Sequence, residues 1–88
     1  MTRDRLVTPV PFSLGTTAPR TALPAAACDC HVHVYDQRFP VAPGARLLPP
    51  DASASDYRAL QQRLGTERTV LVTPSTYGSD NRCMLQGL

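Results

Sequence analysis

Lysine and tryptophan are both absent from the 88 residues, and aromatic residues make up only 6%. All nine basic residues are arginine, scattered along the chain, and the net charge is +2. The uniform arginine is read as codon bias. The scatter gives no basic stripe for nucleic acid, and the aromatic surface is too thin for a base-stacking platform. Charged residues are also few, at 18%, which argues against a disordered acidic or basic tail. No run approaches the about 20 apolar residues of a membrane span. The apolar segment Leu6 to Leu14 is broken by Pro9 and Pro11, so it makes a poor signal-peptide core. Cysteine is limited to Cys28, Cys30 and Cys83. An odd count without regular spacing does not suit a secreted disulfide scaffold, and a Cys28–Cys30 bridge would close a very short ring against strand geometry. Reduced thiols in a cytoplasmic protein are expected.

Hydrophobic residues, by contrast, reach 42%, which suits a chain that buries a core, and the length allows one small domain at most. Chemistry-bearing residues concentrate in Cys28-Asp29-Cys30-His31-Val32-His33-Val34-Tyr35-Asp36. Read as a strand, this stretch alternates its side chains. Asp29, His31, His33 and Tyr35 fall on one face, and Cys28, Cys30, Val32 and Val34 on a packing face. Two imidazoles two residues apart can converge on one point.

Prolines at 9, 11, 19 and 24 predict an extended arm over residues 1–24. The first strand is expected over 25–35. A long connection from Asp36 to Asp51 follows, punctuated by Pro40, Pro43, Gly44, Pro49 and Pro50. Its Phe39, Val41, Leu47 and Leu48 predict an ordered loop that packs on something. Ser53 as N-cap, Asp56 in the first turn, a Tyr57, Leu60, Leu64 stripe and Gly65 at the C-terminus predict the first helix. Arg58, Gln61, Gln62 and Arg63 form its polar face. Residues 68–73 are nearly continuous β-former, as in a parallel strand covered on both faces, and Pro74 ends it. Asp80 caps a second helix that begins at Asn81-Arg82-Cys83 and runs on to Leu88.

The order strand, loop, helix, strand, loop, helix is the pattern of parallel α/β sheets. Two parallel strands cannot cover strands this apolar. The sequence therefore reads as the N-terminal piece of a larger α/β protein or a truncated reading frame, the alternative being a small domain completed by oligomerisation.

Three readings of His31 and His33 follow from their spacing. They are two ligands of one metal ion, the remainder coming from elsewhere. They bind substrate or move protons without metal. Or they are ordinary hydrogen-bonded histidines. A mixed thiolate–imidazole site does not suit regular alternation, because Cys28 and Cys30 face away from both rings and should pack as small apolar side chains.

Several motifs in a fixed order carry a family resemblance. They are Ala27 to Asp36, Arg38-Phe39-Pro40, Ala42-Pro43-Gly44, Pro50-Asp51-Ala52-Ser53, Asp56-Tyr57-Arg58-Ala59-Leu60, Leu64-Gly65 and Pro74 to Arg82. Together these resemble the N-terminus of the amidohydrolase superfamily, in the amidohydrolase 2 branch that includes 2-pyrone-4,6-dicarboxylate lactonases and sugar-lactone enzymes. The resemblance implies the N-terminal β-α-β-α portion of a (β/α)8 TIM barrel, truncated here, with residues 25–88 as its first two β/α units. It implies a hydrolase that opens a lactone or other carboxylated cyclic ester by water attack at the carbonyl. Decarboxylation, isomerisation on the same barrel, and a non-catalytic fragment are the alternatives. In the family, His-x-His closes strand 1 and meets a histidine from a middle strand and an aspartate from the last. His31 and His33 are thus implied catalytic residues, and metal ligands in members that use one divalent ion, Zn or Mn. Other members work without metal. Ser75 matches a serine that contacts substrate carboxylate, with Tyr77 and Asn81 in the same loop as further substrate-binding positions. Leu47 stands where the dicarboxylate lactonases carry a substrate-binding tyrosine. The implied partner is a small lactone or carboxylated molecule, with no nucleic acid and no membrane. The 88 residues alone are expected to be inactive.

Overall fold

The structure, a computed structural model, describes residues 12–46 and 48–88. Leu47 and the first part of the arm lie outside the described residues. Two strands, β1 (Cys28–Val32) and β2 (Arg68–Leu71), pair in parallel. Helix α1 (Ala54–Leu64) connects them, and a short helix α2 (Arg82–Gln86) follows a single 3-10 turn over Ser75–Tyr77. This is the β-α-β-α order expected.

The first helix forms where its local signals place it. Ser53 Oγ accepts from the Asp56 amide at 3.1 Å, and Asp56 Oδ2 accepts from the Ser53 amide at 2.9 Å. This reciprocal capping box satisfies two amides that the first turn leaves open. At the other end Gly65 takes φ 87° and donates its amide to Gln61, a left-handed exit that glycine makes without a Cβ penalty. Ser53→Ala removes the cap acceptor. The expected loss is about 1 kcal/mol of stability, read as a lower urea midpoint at unchanged slope.

The first strand is shorter than the predicted 25–35. The chain leaves the ladder after Val32, and Tyr35 makes an isolated antiparallel bridge with Ala52, with both bonds at 2.9 Å. That bridge pulls the start of the long connection towards the N-terminus of α1. The connection itself is ordered, as expected. The Ala42 amide donates to the Thr76 carbonyl at 2.8 Å, and Leu48 is 1% exposed. A close approach at Gly78 locks the two loops together. Its φ is 60°, and a Cβ there would stand 3.0 Å from that of Ala42.

The core is small and lies on the helical side of the sheet. Val34, Tyr77 and Cys83 are its buried centre, with Tyr35, Phe39, Val41 and Leu71 packed against them. The expectation that β2 is covered on both faces is not met among the described residues, since Val70 is 48% exposed. The helices cover one face only. Gln61 also departs from the predicted polar face of α1. It turns inward and donates to Thr69 Oγ1 at 3.3 Å. Arg63 reaches back to the arm, donating to Leu14 O and Ser13 Oγ at 3.1 and 2.7 Å. The second helix ends at Gln86, with Gly87 as its C-cap. No helix among the described residues is long and apolar enough to cross a membrane.

Candidate functional site

Both strands run the same way, so the residues that follow each of them gather at one end of the sheet. His33 follows β1 directly. Val72, Thr73 and Ser75 follow β2, and Asn81 opens α2. The rings of His31 and His33 meet edge to face with centroids 4.9 Å apart, and Tyr35 stands 6.2 Å beyond His33. The spacing of the two histidines therefore does what the sequence suggests and brings both imidazoles together.

His33 is the more closely held of the pair. Its Nδ1 lies 2.8 Å from the Val72 carbonyl oxygen. A carbonyl only accepts, so Nδ1 carries the proton. In its neutral form the ring then presents the lone pair of Nε2. Anchoring one ring nitrogen on a carbonyl is the usual way a protein orients the other towards a cation or a reacting proton.

Asp29 does not join them. Regular alternation would put it on the face of His31 and His33, but the pairing register breaks. Cys28 pairs with Arg68 and Asp29 with Thr69, whereas Val32 pairs with Leu71. One extra residue is therefore accommodated in β1 between Asp29 and Val32. Asp29 ends up on the helical side with Thr69, where its Oδ2 accepts from the Tyr57 hydroxyl at 3.0 Å. The cysteines depart from the predicted packing as well. Cys30 falls in the irregular stretch and is exposed, and Cys28 is half-buried. Burial pushes the Cys28 thiol up, and the neighbouring Cys30 acts in the same direction, which keeps it a thiol rather than a thiolate. Cys83 is buried, with Sγ 3.7 Å from the Val34 carbonyl, a packing position as expected.

The second loop divides its predicted residues. Ser75 and Asn81 are exposed at the C-terminal end of β2. Asn81 Oδ1 accepts from Thr73 Oγ1 at 2.6 Å, and its side chain makes no cap bond to α2. Asp80 instead accepts from the Arg82 amide at 3.1 Å and pairs with its guanidinium. The side-chain and main-chain bonds from Arg82 hold the Asp80 carboxyl down to about 2. Tyr77 is 2% exposed. Its hydroxyl donates to the Asp36 carbonyl at 3.0 Å and accepts from the Asp36 amide at 2.9 Å. It ties the loop after β1 to the turn after β2. Its neighbour Tyr35 has a phenol pushed up by burial, against a hydrogen bond with Thr76 that pulls it down.

Two participants escape sequence reading. The Val72 carbonyl is a main-chain group and has no residue signature. Tyr57 reads as one of three apolar stripe positions, yet its hydroxyl holds Asp29. An open cleft of about 220 Å³ beside the pair is lined by Phe12, Asp29, His31, His33, Tyr57 and Leu60, among others. No third His, Cys, Asp or Glu joins the imidazoles in a metal-sized group among the described residues.

Comparison with known proteins places the chain in a family. The Amidohydrolase family profile matches residues 28–88. The chain belongs to the amidohydrolase family. Among curated relatives of this amidohydrolase, the "4-sulfomuconolactone hydrolase" of Rhizobium radiobacter is 45% identical over 62 residues, covering 68% of this chain and 21% of the relative. The "2-pyrone-4,6-dicarbaxylate hydrolase" of Comamonas testosteroni is 42% identical over 69 residues, or 76% of this chain and 23% of that one. The "D-galactarolactone isomerase" of Agrobacterium fabrum is 39% identical over 70 residues, with shares of 77% and 24%. The chain thus spans less than a quarter of the length of these relatives.

Proposed function

We infer that this chain contributes the first two β/α units of a (β/α)8 barrel that opens a lactone, or another carboxylated cyclic ester, by adding water to its carbonyl. Residues 25–88 form those units, and residues 1–24 are an extended arm. The observation that carries the reading is the edge-to-face His31–His33 pair at the C-terminal end of β1, with His33 fixed through Nδ1 on Val72. Barrel enzymes of this kind place their chemistry at the C-terminal ends of the strands.

In this reading the Nε2 lone pair of His33 faces the reaction, with His31 beside it. The two imidazoles suit a divalent ion such as Zn or Mn as donor type, and they would be two of its ligands. When bound, such an ion polarises a carbonyl oxygen and acidifies water. The same lone pair equally accepts a proton from water or a hydrogen bond from substrate. Ser75 and Asn81, exposed at the same end, are the proposed contacts for a substrate carboxylate. Tyr77 serves in a supporting place, since its hydroxyl is engaged by Asp36. The proposed substrate is a small molecule, and a cytoplasmic setting fits the sequence.

A graft tests this. Residues 28–88 replace the matching first segment of the Comamonas relative, and the chimera is offered a panel of sugar-derived and aromatic-derived lactones. Ring opening at rates within about tenfold of the parent is expected, because the grafted first strand carries only part of a site. A folded chimera that opens none of the panel would overturn the reading. Metal analysis of the purified chimera separates ion-assisted from metal-free hydrolysis. One curated relative is named an isomerase, which supports a second reading, lactone migration on the same barrel. Product analysis by NMR distinguishes a migrated ring from an opened one.

A further inference from the structure

We propose that Asp29, held by Tyr57, is a positioning residue for the histidine pair, acting by stabilising the bulge in β1. This rests on the reading that His31 and His33 form the reactive site.

The register of β1 against β2 changes within the strand. From Asp29 to Val32 is three steps along β1, and from Thr69 to Leu71 is two steps along β2. With regular pairing His33 would lie opposite Thr73. The extra residue sets it opposite Val72, and the Val72 amide donates to the Val32 carbonyl at 2.8 Å to fix that alignment. In that register His33 Nδ1 reaches the Val72 carbonyl at 2.8 Å. The bulge also resets the alternation. Val32 and Val34 turn to the helical side, where both are buried, while the two imidazoles stay together, edge to face.

A bulge leaves main-chain groups without ladder partners. The Asp29 carboxylate supplies one, with Oδ1 accepting from the His31 amide at 3.4 Å. Its other oxygen takes the Tyr57 hydroxyl at 3.0 Å. Tyr57 in turn accepts from Thr69 Oγ1 at 3.2 Å, and Thr69 Oγ1 accepts from Gln61 Nε2 at 3.3 Å. A continuous hydrogen-bonded chain therefore runs from α1 to the peptide of His31. It holds the carboxylate where Oδ1 reaches back to the bulge.

The test uses isotope-labelled protein and NMR, with no catalytic readout. In the parent, the His33 nitrogens should report a single Nδ1–H tautomer, and the His31 amide should exchange more slowly than in the variants. Asp29→Ala should accelerate exchange at His31 by about tenfold or more and mix the His33 tautomers. Asp29→Asn keeps an acceptor for that amide and should restore both. Tyr57→Phe removes only one hydroxyl and should accelerate His31 exchange several-fold while α1 amides stay unchanged. It also decides the matter if Asp29→Ala fails to fold. Unchanged His31 exchange and an unchanged His33 tautomer in Tyr57→Phe, or in a folded Asp29→Ala, would overturn the proposal. Because neither signal depends on turnover, a graft that fails to open lactones leaves it standing. An active graft with unmoved signals removes it while sparing the proposed function.

Discussion

His33→Ala, made in the grafted barrel, is expected to lower kcat/KM for lactone opening about a thousandfold, the range for losing a positioned proton-transfer group. The expectation follows from the way the ring is held. Nδ1 is committed to the Val72 carbonyl, so the remaining nitrogen is presented in one direction. His31→Ala should cost a similar factor, because the ring centroids are 4.9 Å apart and the proposed site uses both rings. The double replacement should then lose little more than either single one, as residues that work as a unit do. Steady-state kinetics of the three variants on one lactone checks this. Two independent losses that multiply would mean the rings do separate work. If neither variant changes the rate, the pair has no part in the chemistry.

The largest expected effect on stability is at Tyr77. It sits at the centre of the buried cluster with Val34 and Cys83 and is 2% exposed. Its hydroxyl also engages both the amide and the carbonyl of Asp36. Tyr77→Phe should cost about 1–2 kcal/mol, the usual result of leaving main-chain groups half-satisfied in a buried setting. Tyr77→Ala adds the cavity and should cost about 3–5 kcal/mol. In a core this small that difference separates a weakened fold from an unfolded chain. Urea denaturation of both variants measures the steps. The two loops flanking the histidines should loosen together, seen as faster amide exchange at Asp36 and at Gly78. Equal midpoints for Tyr77→Phe and the parent would show that the hydroxyl bonds contribute nothing net.

Much of the arrangement was already legible in local sequence. Helix α1 is written in its own residues. The Ser53 and Asp56 capping box and the Gly65 exit are short-range signals, and each acts within one turn. The run Thr69-Val70-Leu71 reads as strand for the same reason. The closeness of His31 and His33 also survives, because both lie at or beyond the irregularity and follow the two-residue period towards one side. The family motifs placed the chain among the amidohydrolases, and the match over residues 28–88 bears that out.

Other features were beyond any local reading. The sequence expects a working face of Asp29, His31 and His33 and a packing face that includes both strand cysteines. The folded chain moves Asp29 to the helical side and leaves Cys30 exposed. Tyr77 reads as a loop residue, yet it becomes the buried tie between two loops, because its partner Asp36 lies 41 positions away.

By itself, then, the sequence determined which segments become helix and strand, which end of the sheet gathers the histidines, and the family to which the chain belongs. The tertiary structure alone decided the register of β1 against β2. From that register follow the anchoring of His33 on Val72 and the assignment of Asp29 to Tyr57. The physical reason is that a bulge is a property of two strands. The alternation along β1 is local, but where it slips is set by the hydrogen bonds offered by β2 and by a carboxylate that helix α1 holds in place.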